Sequence, residues 1–537
     1  MAISSEWMRA MLAAEPSRAE EMLSDFLAED TCQLEDLAHL GASLAPRGLF
    51  SLAEKVFAKW TVVTPNNPEP WTNLGLCLGR QKKFKEARGA LEYALVLNPD
   101  YLPAMNNIGE VYQELGQNDL QLKNCLRAVS KYPDSALAFN NLGSAFVEKG
   151  MFEEAKYAFE TSVILDPSSF LARFNLAKEA SQAGNVQSAI QQLENLKAGD
   201  FAKNQRQSDM LELQLGIEYL ICGRIKEGWA LYEKGFSPAI PASLARGPQR
   251  QFSVPMWDGQ SLSPGERLMI WREQGVGDEI RFATLIPLLP ESVRNNLVLE
   301  CDHRLVDLFA RSMPEVRVRA ESQSTNDFSY HLPIGSLPRL LMNSVDVLRQ
   351  APPLLNPDPE DVAKFAGRLA QFKDKKLVGI CWRSHKLSAT RNKKYTALED
   401  WRSVLSIPGA LFVNLQYGEC EEEIQQIERE LGIRMLRWPD LDLMNDFSGV
   451  AALIKNLDLV VSISSAVVPL AGAVGTLTIS MTRQNWVLLG ETNTYPWFPS
   501  VMPVVVPHGE AMAAALPMVE ERLLDLSKSG RDKKERT

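Results

Sequence analysis

The sequence predicts an all-helical solenoid of repeats followed by an α/β module of two parallel-sheet lobes. Three observations carry this. Prolines recur every 34 residues through the first third of the chain. A proline-rich, aperiodic stretch then breaks the pattern at 236–264. Beyond it, short apolar runs alternate with helical stretches, the grammar of parallel sheets.

The repeat register is kept by several columns at once. Pro65, Pro99, Pro133 and Pro167 share one step with Gly75, Gly109 and Gly143, and with Leu74, Ile108, Leu142 and Leu176. Leu40, Gly41 and Ala53 carry the register one repeat upstream. A helix pair of this length cannot bury its apolar face alone, so neighbours stack into one continuous core. The period, the small mid-helix residue and the closing proline resemble the tetratricopeptide repeat. The stretch "LGIEYLICGRIKEGWALYEKGF" at 215–236 reads as a last, capping helix pair, with Trp229 where alanine is usual, so the solenoid is expected over 1–235.

Asn73, Asn107, Asn141 and Asn175 also recur at this step. Asparagine is common here in such repeats, which is one explanation. The other is a ladder of carboxamides, each able to donate and accept, that binds an extended peptide backbone. The array resembles the one with which repeat-bearing O-GlcNAc transferases hold acceptor proteins.

The segment 236–264 holds five prolines and is read as a linker. "ERLMIW", "NNLVLEC" and "VRVRA" supply strands for a first lobe over 265–350. "KLVGICW", "ALFVNLQY", "IRMLRW", "LDLVVSIS", "TLTISM" and "VMPVVVP" supply a second over 376–520. Residues 351–375 connect the lobes, and 521–537 form a charged tail. The uncharged run from Leu459 to Thr482 holds four serines, a proline and two glycines, so it is read as strand, helix and strand rather than a membrane span.

Composition narrows the function. The 537 residues carry a net charge of −10, which argues against general nucleic-acid binding. Seven widely spaced cysteines without a CxxC pair argue against a disulfide framework or a zinc site. With no signal-peptide pattern at the N-terminus, a cytoplasmic location is expected. No Asp, Glu, His or Cys cluster has metal-ligand spacing.

The loop "QGVGDE" at 274–279 links a predicted strand to a predicted helix. Gly275 and Gly277 are expected to allow a sharp turn and a close backbone approach to a ligand. Asp278 either caps the helix or serves as general base toward an acceptor hydroxyl. The helix start favours an anion. Arg383, Arg391 and Lys394 are cations beside strand ends, suited to phosphate or simply solvated. Ser464 and Ser465 form a strand-to-helix turn suited to phosphate. Trp497 in "YPWFPS" is placed either to stack on a base or sugar or to pack. Of the five histidines, His331 and His385 stand near predicted loops. His331 is the candidate second catalytic group and His385 a donor contact.

The loop resembles the "QGxGDE" loop of bacterial heptosyltransferases. With "VGICWRS", "RNKKYTALEDW", "FVNLQYGE" and "WVLLG…YPWFPSV" it is similar to the glycosyltransferase module of bacterial tetratricopeptide proteins, including flagellin-modifying ones. That resemblance covers about 255–505. It implies a two-lobed GT-B (double Rossmann-like) fold without bound metal and with no cofactor beyond a nucleotide-sugar donor. Asp278 would be the base and Gln416 would meet the nucleotide. Transfer would run to Ser or Thr of a protein held by the repeats, with flagellin as acceptor and a CMP-linked nonulosonic acid as donor by analogy. The sequence departs from the family at Pro469, where relatives carry histidine. A non-catalytic scaffold, or a lipid or polysaccharide acceptor, are the alternatives.

Overall fold

The computed structural model describes residues 5–28, 33–241, 244–321, 327–349, 353–384 and 395–534. They form two compact units, Met1–Glu179 and Ala180–Thr537.

The first unit is a stack of helix pairs. Phe50–Val63, Phe84–Leu97, Asn118–Lys131 and Phe152–Leu165 are the second helices of successive pairs, and each ends two residues before a periodic proline. Proline cannot continue a helix, which explains the column. The glycine column has a packing cause. A Cβ on Gly75 would stand 2.5 Å from Leu91 Cγ, and one on Gly143 would stand 2.6 Å from Phe159 Cε1. Each clash is with the residue 16 positions on, in the partner helix. At Gly109 that residue is Cys125, and the gap widens to 3.8 Å.

The helices Val186–Ala198, Gln205–Ile221 and Ile225–Tyr232 belong to the second unit, so the compact boundary falls before them rather than at 235. The reason is Trp229. Its ring is fully buried and meets Phe282 at 6.1 Å, Trp486 at 5.9 Å and Trp497 at 6.3 Å. The turn after Gln205–Ile221 also sits so close to 490 that a Cβ on Gly490 would lie 2.7 Å from Gly223 Cα.

The second unit contains two wholly parallel sheets. The first comprises β1 (Leu268–Trp271), β2 (Leu297–Cys301), β3 (Arg317–Ala320) and β4 (Tyr330–Pro333), in the order β3-β2-β1-β4. The other comprises β5 (Lys376–Cys381), β6 (Ala410–Asn414), β7 (Leu459–Ile463), β8 (Thr478–Thr482) and β9 (Val501–Val505), in the order β6-β5-β7-β8-β9. One apolar core lies between the sheets and takes Leu268 and Ile270 from one and Leu377 and Val460 from the other. Separate clusters cover their outer faces. Strand order reverses at β1 and at β5, and ligands of doubly wound sheets bind beyond the carboxyl ends of such strands.

The predicted linker is structured where it is described. Trp257 N–H donates to the His331 carbonyl at 2.8 Å, and His331 N–H donates to Pro255 at 3.2 Å, so this segment lies along the outer edge of β4. Arg246 is held by Glu273 through Nε at 2.8 Å and Nη2 at 2.5 Å, and by Glu233 at 2.8 Å. Both Arg246 and Glu273 are buried, and the doubly bonded fork offsets the cost of removing both charges from water. The 459–482 run forms β7, the helix Val467–Val474 and β8. Among the described residues no helix is long and apolar enough to cross a membrane.

Candidate functional site

The candidate site is the lobe junction where the loop after β1 packs against the first turn of the helix that follows β7. After β1, Gln274 takes the left-handed conformation (φ 60°), and its N–H donates to the Gly247 carbonyl at 2.6 Å. The sharp turn expected of the glycines is therefore made by Gln274. Gly275 is extended, at φ −115° and ψ 165°, and occupies the N-cap of the helix Val276–Ala283. Gly277 stands at a close approach between the lobes. A Cβ there would lie 3.3 Å from Pro469 Cγ and 3.5 Å from Ala466 Cα, so the missing side chain lets the lobes touch. Pro469 sits in the first turn of Val467–Val474, where proline costs no helix bond.

Asp278 does not cap the helix, because Gly275 holds that position and accepts Asp278 N–H at 2.8 Å. Its carboxylate pairs with the Arg281 guanidinium one turn on. Side-chain exposure is 27% for Asp278 and 8% for Arg281, so the pair opens to solvent on the carboxylate's side. Arg281 Nη2 donates to the Tyr495 hydroxyl at 3.3 Å across the lobe junction, and the guanidinium lies 5.6 Å from the Trp486 ring centroid.

His331 does not join Asp278. It lies with the cluster on the outer face of the first sheet, 4.3 Å from the Phe252 ring, and its Nδ1 accepts from Trp271 Nε1 at 3.2 Å. The helix bearing Asp278 packs into the core on the opposite face. Burial, with the nearby Arg250 charge, pushes the His331 imidazole down to about 4, so it is neutral.

In the second lobe, Gln416 is buried and ties β6 to β5. Its Oε1 accepts from the N–H groups of Trp382 at 3.1 Å and Arg383 at 2.9 Å, and its Nε2 donates to the Tyr417 carbonyl at 2.9 Å. The Arg383 guanidinium is taken up by Glu423 and by the Glu419 carbonyl. Trp497 is 1% exposed, packs 5.6 Å from Phe282 and donates to the Val487 carbonyl at 2.9 Å, so it packs rather than stacks on a ligand. Ser464 is exposed and its N–H donates to Met481, while the Ser465 hydroxyl accepts Val467 N–H at 3.2 Å. His385, Arg391 and Lys394 lie outside the described residues.

Beyond the end of β6 a cavity of 850 Å³ is lined by Tyr417, Trp438 and Leu441, with Glu419, Glu422 and Asp442 among its acids. Its wall residue Met444 accepts Arg304 Nη1 from the first lobe at 3.0 Å. Among the described residues no cluster of His, Cys, Asp or Glu is arranged to hold a metal ion.

The asparagine column of the first unit is cross-linked to a second column. Asn141 Nδ2 donates to Asn106 Oδ1 at 3.1 Å, and Asn175 Nδ2 donates to Asn140 Oδ1 at 2.9 Å. Asn73, Asn107, Asn141 and Asn175 are all half-buried, which leaves part of each carboxamide on the surface. Sequence reasoning missed this second column, although the "NN" pairs at 106–107 and 140–141 display it. It also missed Arg281 and Tyr495. The i,i+3 spacing of Asp278 and Arg281 was the available signal for the first, and nothing local signals the second.

Stacked helix pairs joined in one chain to two parallel sheets define a tetratricopeptide-repeat protein with a C-terminal α/β module. Models described as tetratricopeptide repeat match residues 68–101 and 140–202. The chain is 32% identical over 468 residues to Protein FlbA of Caulobacter vibrioides, covering 84% of this chain and 72% of that protein. It belongs to the FlbA family. It is also 24% identical over 180 residues to the BBSome complex member BBS4 of Bos taurus, 34% of this chain and 35% of that one. Among solved structures, a tetratricopeptide repeat protein from Parabacteroides merdae matches with a TM-score of 0.33 at 20% identity, over 39% of this chain and 82% of that one.

Proposed function

We propose that this chain is a protein O-glycosyltransferase of the two-lobed GT-B class. Its repeats hold a protein acceptor, and its α/β unit transfers a sugar from a nucleotide donor to Ser or Thr. The observation that carries the reading is the crevice itself. Strand order reverses at β1 and β5, and the loop beyond β1 carries a part-exposed carboxylate, Asp278, next to Gly277, which meets the helix that follows β7. Asp278 takes the proton of the acceptor hydroxyl, whose oxygen bonds to the anomeric carbon as the nucleotide phosphate leaves with the bonding pair. The Tyr417 and Trp438 rings of the adjoining cavity suit a nucleobase. The carboxamide columns suit an extended acceptor backbone.

Flagellin as acceptor and a CMP-linked nonulosonic acid as donor extend this reading by analogy with the enzymes the motifs resemble. A second reading, a non-catalytic scaffold, has its own support: Gln416, Trp497 and Arg383 are satisfied by their own chain, and Pro469 closes on Gly277. Intact-mass analysis of flagellin from cells with and without the gene tests the reading with flagellin as acceptor. Glycosyl transfer predicts a sugar-sized mass loss on deletion; an unchanged mass rejects flagellin as the acceptor.

A further inference from the structure

The crevice holds a cation whose partner is replaceable. Arg246, Arg304 and Arg383 are each gripped on more than one side, by Glu273 and Glu233, by Asp302 and the Met444 carbonyl, and by Glu423 and the Glu419 carbonyl. Arg281 differs. It is 6% exposed, and among the described residues its carboxylate contact is Asp278, the more exposed member of the pair. Its other polar contact is a long bond to Tyr495 at 3.3 Å, and its Nε, buried from solvent, has no hydrogen-bond partner. A buried guanidinium with donor capacity to spare favours a second oxyanion.

We infer that Arg281 is an anion-binding residue of the crevice and that a ligand oxyanion displaces Asp278 from it. The inference rests on the reading of the crevice as the donor site. While Asp278 is paired, its lone pairs are committed to the guanidinium. When a phosphate or a sugar carboxylate takes that place, the Asp278 carboxylate is released toward the acceptor hydroxyl. Donor binding and base activation thereby become one event, and the unloaded crevice is protected from misfiring on water. In the exchange one oxyanion replaces another on the same guanidinium, while the Asp278 carboxylate stays on its helix as a free acceptor of a proton.

The test uses the full chain and two probes, CMP for the phosphate and free glucuronate for a carboxylate without phosphate. Asp278→Asn removes the internal competitor and leaves Arg281 in place, so it is expected to tighten the favoured probe by about threefold or more. Arg281→Lys keeps the charge and loses the fork, so it is expected to weaken that probe by about tenfold. The opposite signs are the signature, because a purely structural ion pair predicts either no change or parallel losses. Whichever probe shows them identifies the oxyanion. Weaker or unchanged binding by Asp278→Asn overturns the inference, as does failure of the wild type to bind either probe. Should Arg281→Lys fail to fold, Asp278→Asn alone decides. Opposite signs without sugar transfer would leave the exchange standing and refute the glycosyltransferase reading; transfer without them would do the reverse.

Discussion

Glycine serves the two units in different ways. In the repeats Gly75 and Gly143 answer the same question at the same place, whether a bulky side chain of the partner helix has room. In the crevice Gly275 and Gly277 stand two residues apart and share no role: one is an extended N-cap with open space around it, the other a contact point between lobes. A repeated position reports a repeated packing constraint. A position used once reports a tertiary neighbour that the local sequence does not contain.

The comparison sharpens through substitutions, the largest first. Trp229 joins the last helix pair to both lobes, so Trp229→Ala should destabilise the α/β unit by about 3–5 kcal/mol, read by denaturant titration. His331 gives a pH effect on the same unit. Its imidazole drops from the ordinary 6.5 to about 4 in the folded chain. The folded state therefore favours the neutral ring; this contribution stands in full above pH 6.5 and is lost as pH falls toward 4. It amounts to no more than about 3 kcal/mol, and His331→Gln should remove this part of the acid dependence in melts at pH 4.5 and 7. Gly143→Ala and Gly75→Ala should destabilise the repeats by about 1–3 kcal/mol through overpacking. Gly109→Ala, facing Cys125 at 3.8 Å, should have the opposite sign and stabilise by up to about 1 kcal/mol from helix propensity. Equal effects at Gly109 and Gly143 would break the account of the column. The smallest change is expected from Asn141→Ala, which removes one part-exposed rung and should cost about 0.5–1.5 kcal/mol in thermal melts.

The repeats were legible because four copies average out local accidents: prolines, glycines and asparagines each appear in register. The two parallel sheets were legible from apolar runs such as "LVVSI" and "ALFVN". The site was less so. Gln416 and Trp497 sit where the motifs put them, yet their polar atoms are used within the chain, and burial of that kind depends on segments far away in sequence. The side chain of His331 faces away from the crevice because β4 presents alternate residues to opposite faces of its sheet. Its neighbours Phe252 and Trp271 come from the linker and from β1. The lobe-to-lobe approach of Gly277 and Pro469, separated by nearly two hundred residues, leaves no local trace.

The central claim is that the crevice beside Asp278 transfers sugar to protein. The direct measurement is intact mass of unmodified flagellin after incubation with purified full-length chain and a CMP-linked nonulosonic acid, in parallel with Asp278→Asn. The account predicts a mass gain of one or more sugar residues with the wild type and a rate lower by about a hundredfold or more with the variant. No mass gain with the wild type, or equal rates for both proteins, would contradict it.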